Sequence, residues 1–195
     1  LMSDLAQLQA QVVAAFNRHD WPRVGTLSTQ LLSSAPNHAP THYFAGIAWM
    51  EQRQPARSLQ HLRRATELDP ARVEYALHFA RVLSFLRLSR EALAAADHAL
   101  ELSPQDADAL DALGGIYAQN GAHARAASAF RRAATLAPAN AACHFNLATA
   151  LVALGETDNA ERELESCLAL DPGFWRAHLS VAHLRRQSPD HHHLA

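Results

Sequence analysis

Five prolines recur along the chain at a constant interval of 34 residues. They are Pro36, Pro70, Pro104, Pro138 and Pro172. Proline cannot continue a helix, because it lacks an N–H donor and its ring clashes with the preceding turn. A fixed period of this length indicates a repeat protein, in which neighbouring copies of one small structural unit stack on each other. The period divides the chain into the units 5–38, 39–72, 73–106, 107–140 and 141–174.

The fourth unit shows most clearly what each copy contains. Large and small residues recur at helical spacing on both sides of one glycine, Gly121. The first stripe consists of Leu110, Leu113, Gly114 and Tyr117, and the second of Ala126, Phe130 and Ala133. Residues three and four apart share one face of a helix, and an isolated glycine between two such stripes marks a turn. Each unit is therefore predicted to be a helix, a turn and a second helix.

These residues resemble the tetratricopeptide repeat. Its pattern has a large residue at position 4, leucine and a small residue at 7 and 8, an aromatic at 11, a small residue at 20, an aromatic at 24, alanine at 27 and proline at 32. Unit four matches at every position, and unit one is the weakest match, as expected for a terminal copy with one uncovered face. The resemblance implies an all-α fold: a right-handed α-α superhelix of five helix hairpins. It implies a single domain over residues 5–187, with a capping helix at 174–187 and a tail at 188–195.

Small residues recur where helices must approach closely. One set is expected where the two helices of a unit cross, and a second where each unit meets the next. The first set is Gly46, Ala80, Gly114 and Ala148, and the second is Ala65, Ala99, Ala133 and Cys167. A large side chain at these positions would push the helices apart.

Composition and charge exclude several classes of function. Hydrophobic residues make up 49% and charged residues 18% of the 195 positions, and no apolar run is long enough for a membrane span. The net charge of −2, from 17 basic and 19 acidic residues, lacks the basic excess typical of proteins that bind nucleic acids or anionic membranes. All the basic residues are arginines, and a chain without lysine cannot form a Schiff base.

No motif in the sequence predicts an enzyme or a cofactor. The chain has no G-x-S-x-G, no glycine-rich phosphate loop, no H-E-x-x-H and no C-x-x-C. Two groups carry metal-ligating residues: the tract 191–193 of three histidines, and Cys143, His144 and Cys167 within unit five. Neither supplies the four convergent ligands of a tetrahedral site, so no metal is predicted. The two cysteines and the absence of a secretory signal predict a cytoplasmic protein.

The first helix of each unit has a face that the packing positions do not use. Positions 2, 5, 9 and 12 lie together on it, and in tetratricopeptide proteins this face lines a concave groove. The resemblance therefore implies a set of groove residues, called here the predicted groove residues. They are Tyr43, Ile47, Met50, Glu74, Leu77, Arg81, Asp108, Asp111, Gln119, Phe145, Asn146, Thr149, Arg176 and His183, of which Asn146 and Gln119 stand one residue beyond positions 5 and 12. For any one of them the alternative is an ordinary solvated helix face.

The predicted groove residues combine acidic groups at the centre of the chain with apolar side chains beside them. This pattern favours a protein or peptide partner with an arginine or lysine next to an apolar anchor. Chaperone C-termini are disfavoured, because the carboxylate clamp that holds them uses lysines. The asparagine ladder of glycosyltransferase superhelices is disfavoured as well, because only Asn146 stands at its position. The paired arginines at 63–64 and 131–132 are predicted to be solvated residues on second helices.

Two further hypotheses come from the C-terminal region. The stretch from Trp175 to Pro189 resembles the junction of bacterial tetratricopeptide proteins that continue into a sulfotransferase domain, which would make this chain the substrate-recognition module of a larger enzyme. An imperfectly capped end could instead pack on another copy of the chain, giving self-association.

Overall fold

A computed structural model describes residues 2–187 as helices joined by short turns, with no strand in that range. The helices are α1 (Met2–Asn17), α2 (Trp21–Ser34), α3 (Ala39–Glu51), α4 (Pro55–Leu68), α5 (Val73–Phe85), α6 (Ser89–Glu101), α7 (Ala107–Gln119), α8 (His123–Leu136), α9 (Ala141–Ala153), α10 (Thr157–Leu170) and α11 (Trp175–Gln187). Each predicted unit contains one helix pair, and each pair packs as a hairpin. The predicted all-α helical-repeat fold is confirmed.

Left-handed backbone closes the turn inside each unit. Gly121 and Gly155 adopt φ angles of 76° and 78°, which glycine reaches without steric cost. Arg53 and Arg87 occupy the equivalent turns at 59° and 61°. The amide that follows the turn bonds to a carbonyl five residues earlier, as Ala122 N does to the Tyr117 oxygen at 2.9 Å. This arrangement satisfies an orphan carbonyl at the end of the first helix and sends the chain back antiparallel.

The two helices of a unit cross where the small residues were predicted. A Cβ added at Gly46 would lie 2.5 Å from Leu62 Cγ, and one added at Gly114 would lie 2.5 Å from the Phe130 ring. Real Cβ atoms do not approach so closely, so both positions require glycine for packing. The equivalent residues in the third and fifth units, Ala80 and Ala148, are buried. The second set, Ala65, Ala99, Ala133 and Cys167, is completely buried.

The chain divides into two compact units, residues 1–103 and 104–195. In the first, Val12, Val24 and Ala48 belong to a buried apolar cluster. In the second, the largest fully buried side chains come from the first helices α7 and α9 and from α10. They are Leu110, Leu113, Tyr117, Leu147, Leu151 and Leu164. The single domain over 5–187 stays a prediction.

Each repeat proline offers its carbonyl to a side chain of the following helix pair or of α11. Histidine Nε2 donates this bond in four of the five cases, and an arginine donates it in the fifth. The pairs are His42 to Pro36 (2.9 Å), His98 to Pro70 (2.9 Å), Arg132 to Pro104 (3.5 Å), His144 to Pro138 (3.0 Å) and His178 to Pro172 (2.8 Å). A carbonyl oxygen only accepts, so each of these four imidazoles carries a proton on Nε2. Four of the chain's 13 histidines therefore bind the backbone of the turn between repeats.

The last helix, α11, buries one face and exposes another. Ala177 and Leu184, two turns apart, are buried, and Arg185 pairs with Glu161 and Glu165 on α10 at 2.6 and 3.3 Å. Leu179 is 61% exposed, because it lies on the opposite side of the helix from this pair. Trp175 is 66% exposed one turn away. Trp175 and Leu179 thus form an exposed apolar strip on α11. Self-association through this strip stays a prediction.

The helices within the described range are all too short or too polar to span a bilayer.

Candidate functional site

In the first compact unit, Tyr43 of the predicted groove residues belongs to a stack of rings from α3 and α5. Tyr43 stacks on Tyr75 with ring centroids 4.8 Å apart, and the His78 ring meets Tyr43 edge-on at 5.4 Å. His78 Nδ1 donates to the Glu74 carbonyl oxygen at 2.9 Å, which fixes the imidazole against its own helix. The Tyr43 hydroxyl lies 3.4 Å from the same nitrogen. The stack holds the Tyr43 ring in one orientation on this face.

Burial and nearby charges keep Tyr43 protonated. Burial, together with smaller contributions from Glu74 and Tyr75 that Arg81 opposes, raises the pKa of Tyr43 to about 12. The same burial lowers the pKa of His78, so this imidazole is neutral at physiological pH. The phenol is thus a permanent hydrogen-bond donor beside one carboxylate and one guanidinium, and both of these charged side chains are exposed.

The remaining predicted groove residues of this unit differ in exposure. Ile47 and Met50 are half-buried, whereas Leu77 is only 7% exposed and offers little surface to a ligand. Tyr75 and His78 were not among the predicted residues. Tyr43 stands at position 5 of its repeat, and His78 stands at position 6 of the next repeat. This spacing is the signal that could have indicated His78.

In the second compact unit, α7 contributes two carboxylates to its first-helix face. Asn146 Nδ2 donates to Asp111 Oδ1 at 2.8 Å, and this bond joins α7 to α9. Burial raises the pKa of Asp111, the bond from Asn146 lowers it, and the neighbouring Asp108 raises it. None of the described arginines forms a salt bridge with either carboxylate, so the charge of this pair is not neutralised within the described chain.

Residues of α9 and α11 meet beside this acidic pair. The Phe145 ring packs on Phe174 at 5.0 Å, and the Arg176 guanidinium lies 4.8 Å from the Phe145 centroid. Phe145 is therefore only 6% exposed, and Arg176 covers it. The Thr149 hydroxyl donates to the Phe145 carbonyl oxygen within its own helix. Gln119 and His183 are exposed at other points of the same unit.

The metal-ligating groups noted in the sequence do not converge. The described residues contain no cluster of three or more histidine, cysteine or acidic side chains able to hold a metal ion. Residues 191–193, the histidine tract, lie outside the described range. Cys143 and Cys167 are both free and buried. Burial raises the pKa of the Cys143 thiol, and Asp111 and Asp108 raise it further, which keeps this thiol protonated and unreactive at neutral pH.

Comparisons with known proteins give one consistent result. Two sequence models described as tetratricopeptide repeat match residues 77–141 and 117–184. A crystal structure of the MamA protein aligns at 18% identity over 90% of this chain and 96% of its own length, with a TM-score of 0.76. YrrB, described as a TPR protein with an unusual peptide-binding site, aligns at 18% identity over 87% of each chain, with a TM-score of 0.75. MamA from Desulfovibrio magneticus RS-1 aligns at 17% identity over 87% and 96%, with a TM-score of 0.75. No curated protein matches the sequence.

Proposed function

The chain belongs to the tetratricopeptide repeat family, and on that premise we propose that it holds a segment of a partner protein against the first-helix faces of its repeats. A protein-interaction scaffold is the role that the repeats and their structural relatives support. The predicted groove residues are the proposed contact surface. Catalysis is not part of this proposal, and the site needs no cofactor.

The observation that carries the proposal is the pair of carboxylates on α7. Asp111 is held in place by Asn146 at 2.8 Å, and Asp108 raises its pKa, so the two negative charges lie close together. Two neighbouring carboxylates disfavour each other's ionised form, and a cation beside them relieves this repulsion. An arginine or lysine side chain of a bound segment would supply it and would gain a charge-assisted hydrogen bond.

The first compact unit also favours a peptide ligand, but through aromatic side chains rather than a pair of carboxylates. The half-buried Tyr43, held by its stack on the buried Tyr75, offers part of an aromatic ring and a hydroxyl donor near the exposed charges of Glu74 and Arg81. Aromatic side chains of this kind give a large contact area at a low cost in conformational entropy. We therefore propose a ligand segment in which a basic residue accompanies an apolar or aromatic anchor.

A cytoplasmic location is part of the proposal. Free cysteines persist in reducing compartments, and both cysteines of the chain are free. Their burial in unit five fits a packing role for each.

A selection from a random peptide library tests the proposed function. We expect the chain to enrich peptides that combine a basic residue with an apolar one. Replacing Arg81, Asp108, Asp111 and Asn146 together by alanine is expected to abolish the enrichment while the helical circular dichroism stays unchanged.

The matched control replaces Arg90, Glu101, Asp158 and Gln60 by alanine. These exposed residues lie on second helices. Their replacement removes one positive charge, two negative charges and one amide, as the first quadruple variant does. The control is expected to select the same peptides as the native chain. Equal selection by both quadruple variants would overturn the proposed contact surface.

A further inference from the structure

An open cavity of about 360 Å³ lies between α4, α5 and α6 in the first compact unit. Ala76, Phe79 and Leu83 of α5 contribute to its lining. They are spaced by three and four residues, so they share a face of α5, and that face is opposite the one carrying Glu74 and Arg81. The cavity is therefore separate from the proposed contact surface.

The cavity exists because the third repeat has small residues where other repeats have larger ones. Positions 4 and 23 of a unit face each other between its two helices. In unit two they are His42 and His61, whose Nδ1 atoms lie 3.0 Å apart. In unit five they are a histidine and a glutamate joined by a bond of 2.7 Å. In unit three they are Ala76 and Ala95, which leave the space between α5 and α6 open.

An aromatic ring forms part of the wall of this space. Position 7 of units four and five is a buried leucine, Leu113 or Leu147, whereas unit three has Phe79, which stays partly exposed. Ala94 and Ala95 line the cavity from α6. An apolar surface of this kind in contact with water is unfavourable, and covering it with another apolar group releases that cost. The volume lies at the lower end of the range for ligand pockets.

Two charged side chains of opposite sign line the same cavity. The Arg63 guanidinium of α4 lies 6.0 Å from the Phe79 ring centroid, and Glu91 stands in the first turn of α6. Neither forms a salt bridge with another described residue. His98, also in the lining, has its Nε2 committed to the Pro70 carbonyl. A ligand can therefore pair with both charges without displacing an existing ion pair.

We infer that this cavity is a second docking site, which receives one phenylalanine- or leucine-sized side chain of a partner protein, with an acidic neighbour paired to Arg63 and a basic neighbour paired to Glu91. The shape of the cavity selects the apolar side chain, and the charges of Arg63 and Glu91 select the residues on either side of it. The site is independent of the proposed contact surface, so one partner chain or two different ones can be held on opposite sides of α5.

Short synthetic peptides test this inference by NMR. Acetyl-Asp-Phe-Arg-amide and its reversed order, acetyl-Arg-Phe-Asp-amide, cover both backbone directions, and acetyl-Asp-Ser-Arg-amide lacks the anchor. We expect at least one phenylalanine peptide to bind with a dissociation constant on the order of 1 mM, as befits so small a ligand. It should shift the amide signals of Ala76, Ala94 and Ala95, whereas the serine peptide should not.

Four variants make the test specific. Ala95→Leu fills the cavity and is expected to weaken binding at least tenfold without lowering the melting temperature. Arg63→Ala and Glu91→Ala should each weaken it about threefold or more, since each removes one charge-assisted contact. Glu101→Ala, at an exposed position of α6 outside the lining, should leave it unchanged. Equal shifts from the serine peptide, no binding by any phenylalanine peptide, or unchanged binding by Ala95→Leu would overturn the inference.

Discussion

Asn146 donates a hydrogen bond of 2.8 Å to Asp111, and the two residues are 35 apart in the chain. Tyr43 and His78 are also 35 residues apart in the chain, and the Tyr43 hydroxyl lies 3.4 Å from His78 Nδ1. In both compact units, position 5 of one repeat thus meets position 6 of the next, one residue beyond the repeat period. Side chains at these two positions form cross-repeat pairs on the first-helix face, and their identities set the chemistry of that face.

The bond between Asn146 and Asp111 is expected to affect the pKa of Asp111. Asn146→Ala removes the donor that lowers the pKa of this carboxyl and leaves burial and Asp108, which raise it. The pKa of Asp111 is therefore expected to rise in the variant, measured by NMR titration of its carboxyl carbon. Thr149→Ala, which removes a hydroxyl bonded only to its own helix, is the control and should leave that pKa unchanged. An unchanged or lower pKa in Asn146→Ala would contradict the assigned bond.

Adjacent glycines give a sharp test of the helix crossing. Gly114→Ala places a methyl group 2.5 Å from the Phe130 ring, whereas Gly115→Ala meets no atom within 4 Å. Gly114→Ala is expected to lower the free energy of unfolding by about 1–3 kcal/mol, as overpacked cores do. Gly115→Ala should raise it by up to about 1 kcal/mol, because alanine is the better helix former. Urea unfolding followed by circular dichroism measures both, and equal effects would refute the crossing at Gly114.

Ser58 carries a buried hydroxyl without a hydrogen-bond partner among the described residues. The equivalent positions in the next three repeats are buried alanines, Ala92, Ala126 and Ala160. Ser58→Ala removes the desolvation cost of the hydroxyl and is expected to raise the free energy of unfolding by about 1 kcal/mol. Ser166→Ala, on the exposed surface, should change it by less than about 0.5 kcal/mol. A loss of stability in Ser58→Ala would mean that the hydroxyl has a partner.

His61 links stability to pH. Burial, with smaller effects from His42 and Arg57, lowers the pKa of His61 from 6.5 to about 4. The folded state therefore binds fewer protons than the unfolded state between these values. The contribution of neutral His61 is complete above pH 6.5 and is lost as the pH falls from 6.5 towards about 4.

Urea unfolding of the native chain and of His61→Gln at pH 7.5, 6.0 and 4.5 measures this loss. The native chain is expected to lose more stability on acidification than the variant, because glutamine does not titrate. Gln60→Ala, at an exposed and non-titrating position of the same helix α4, is the control and should follow the native chain. Parallel pH profiles for the native chain and His61→Gln would contradict the role of this imidazole.

The sequence predicted the helices well because their boundaries depend on local chemistry. Proline and glycine interrupt helices by their own geometry, so each predicted unit holds a helix pair, and the helix predicted at 174–187 is observed as α11, Trp175–Gln187. The exposure of site residues depends on neighbours from other repeats, which the period does not specify. Leu77 and Phe145 were predicted at the surface, and the latter is buried because Phe174 and Arg176 cover it.

Hydrogen-exchange mass spectrometry of the chain, with and without a peptide selected from the library, tests the central claim most directly. Binding to the first-helix faces predicts slower exchange in α5, α7 and α9, with the second helices α4, α8 and α10 unchanged. The quadruple variant at Arg81, Asp108, Asp111 and Asn146 should show no slowing with the same peptide. Slowing confined to second helices, or equal slowing in the variant, would contradict the account.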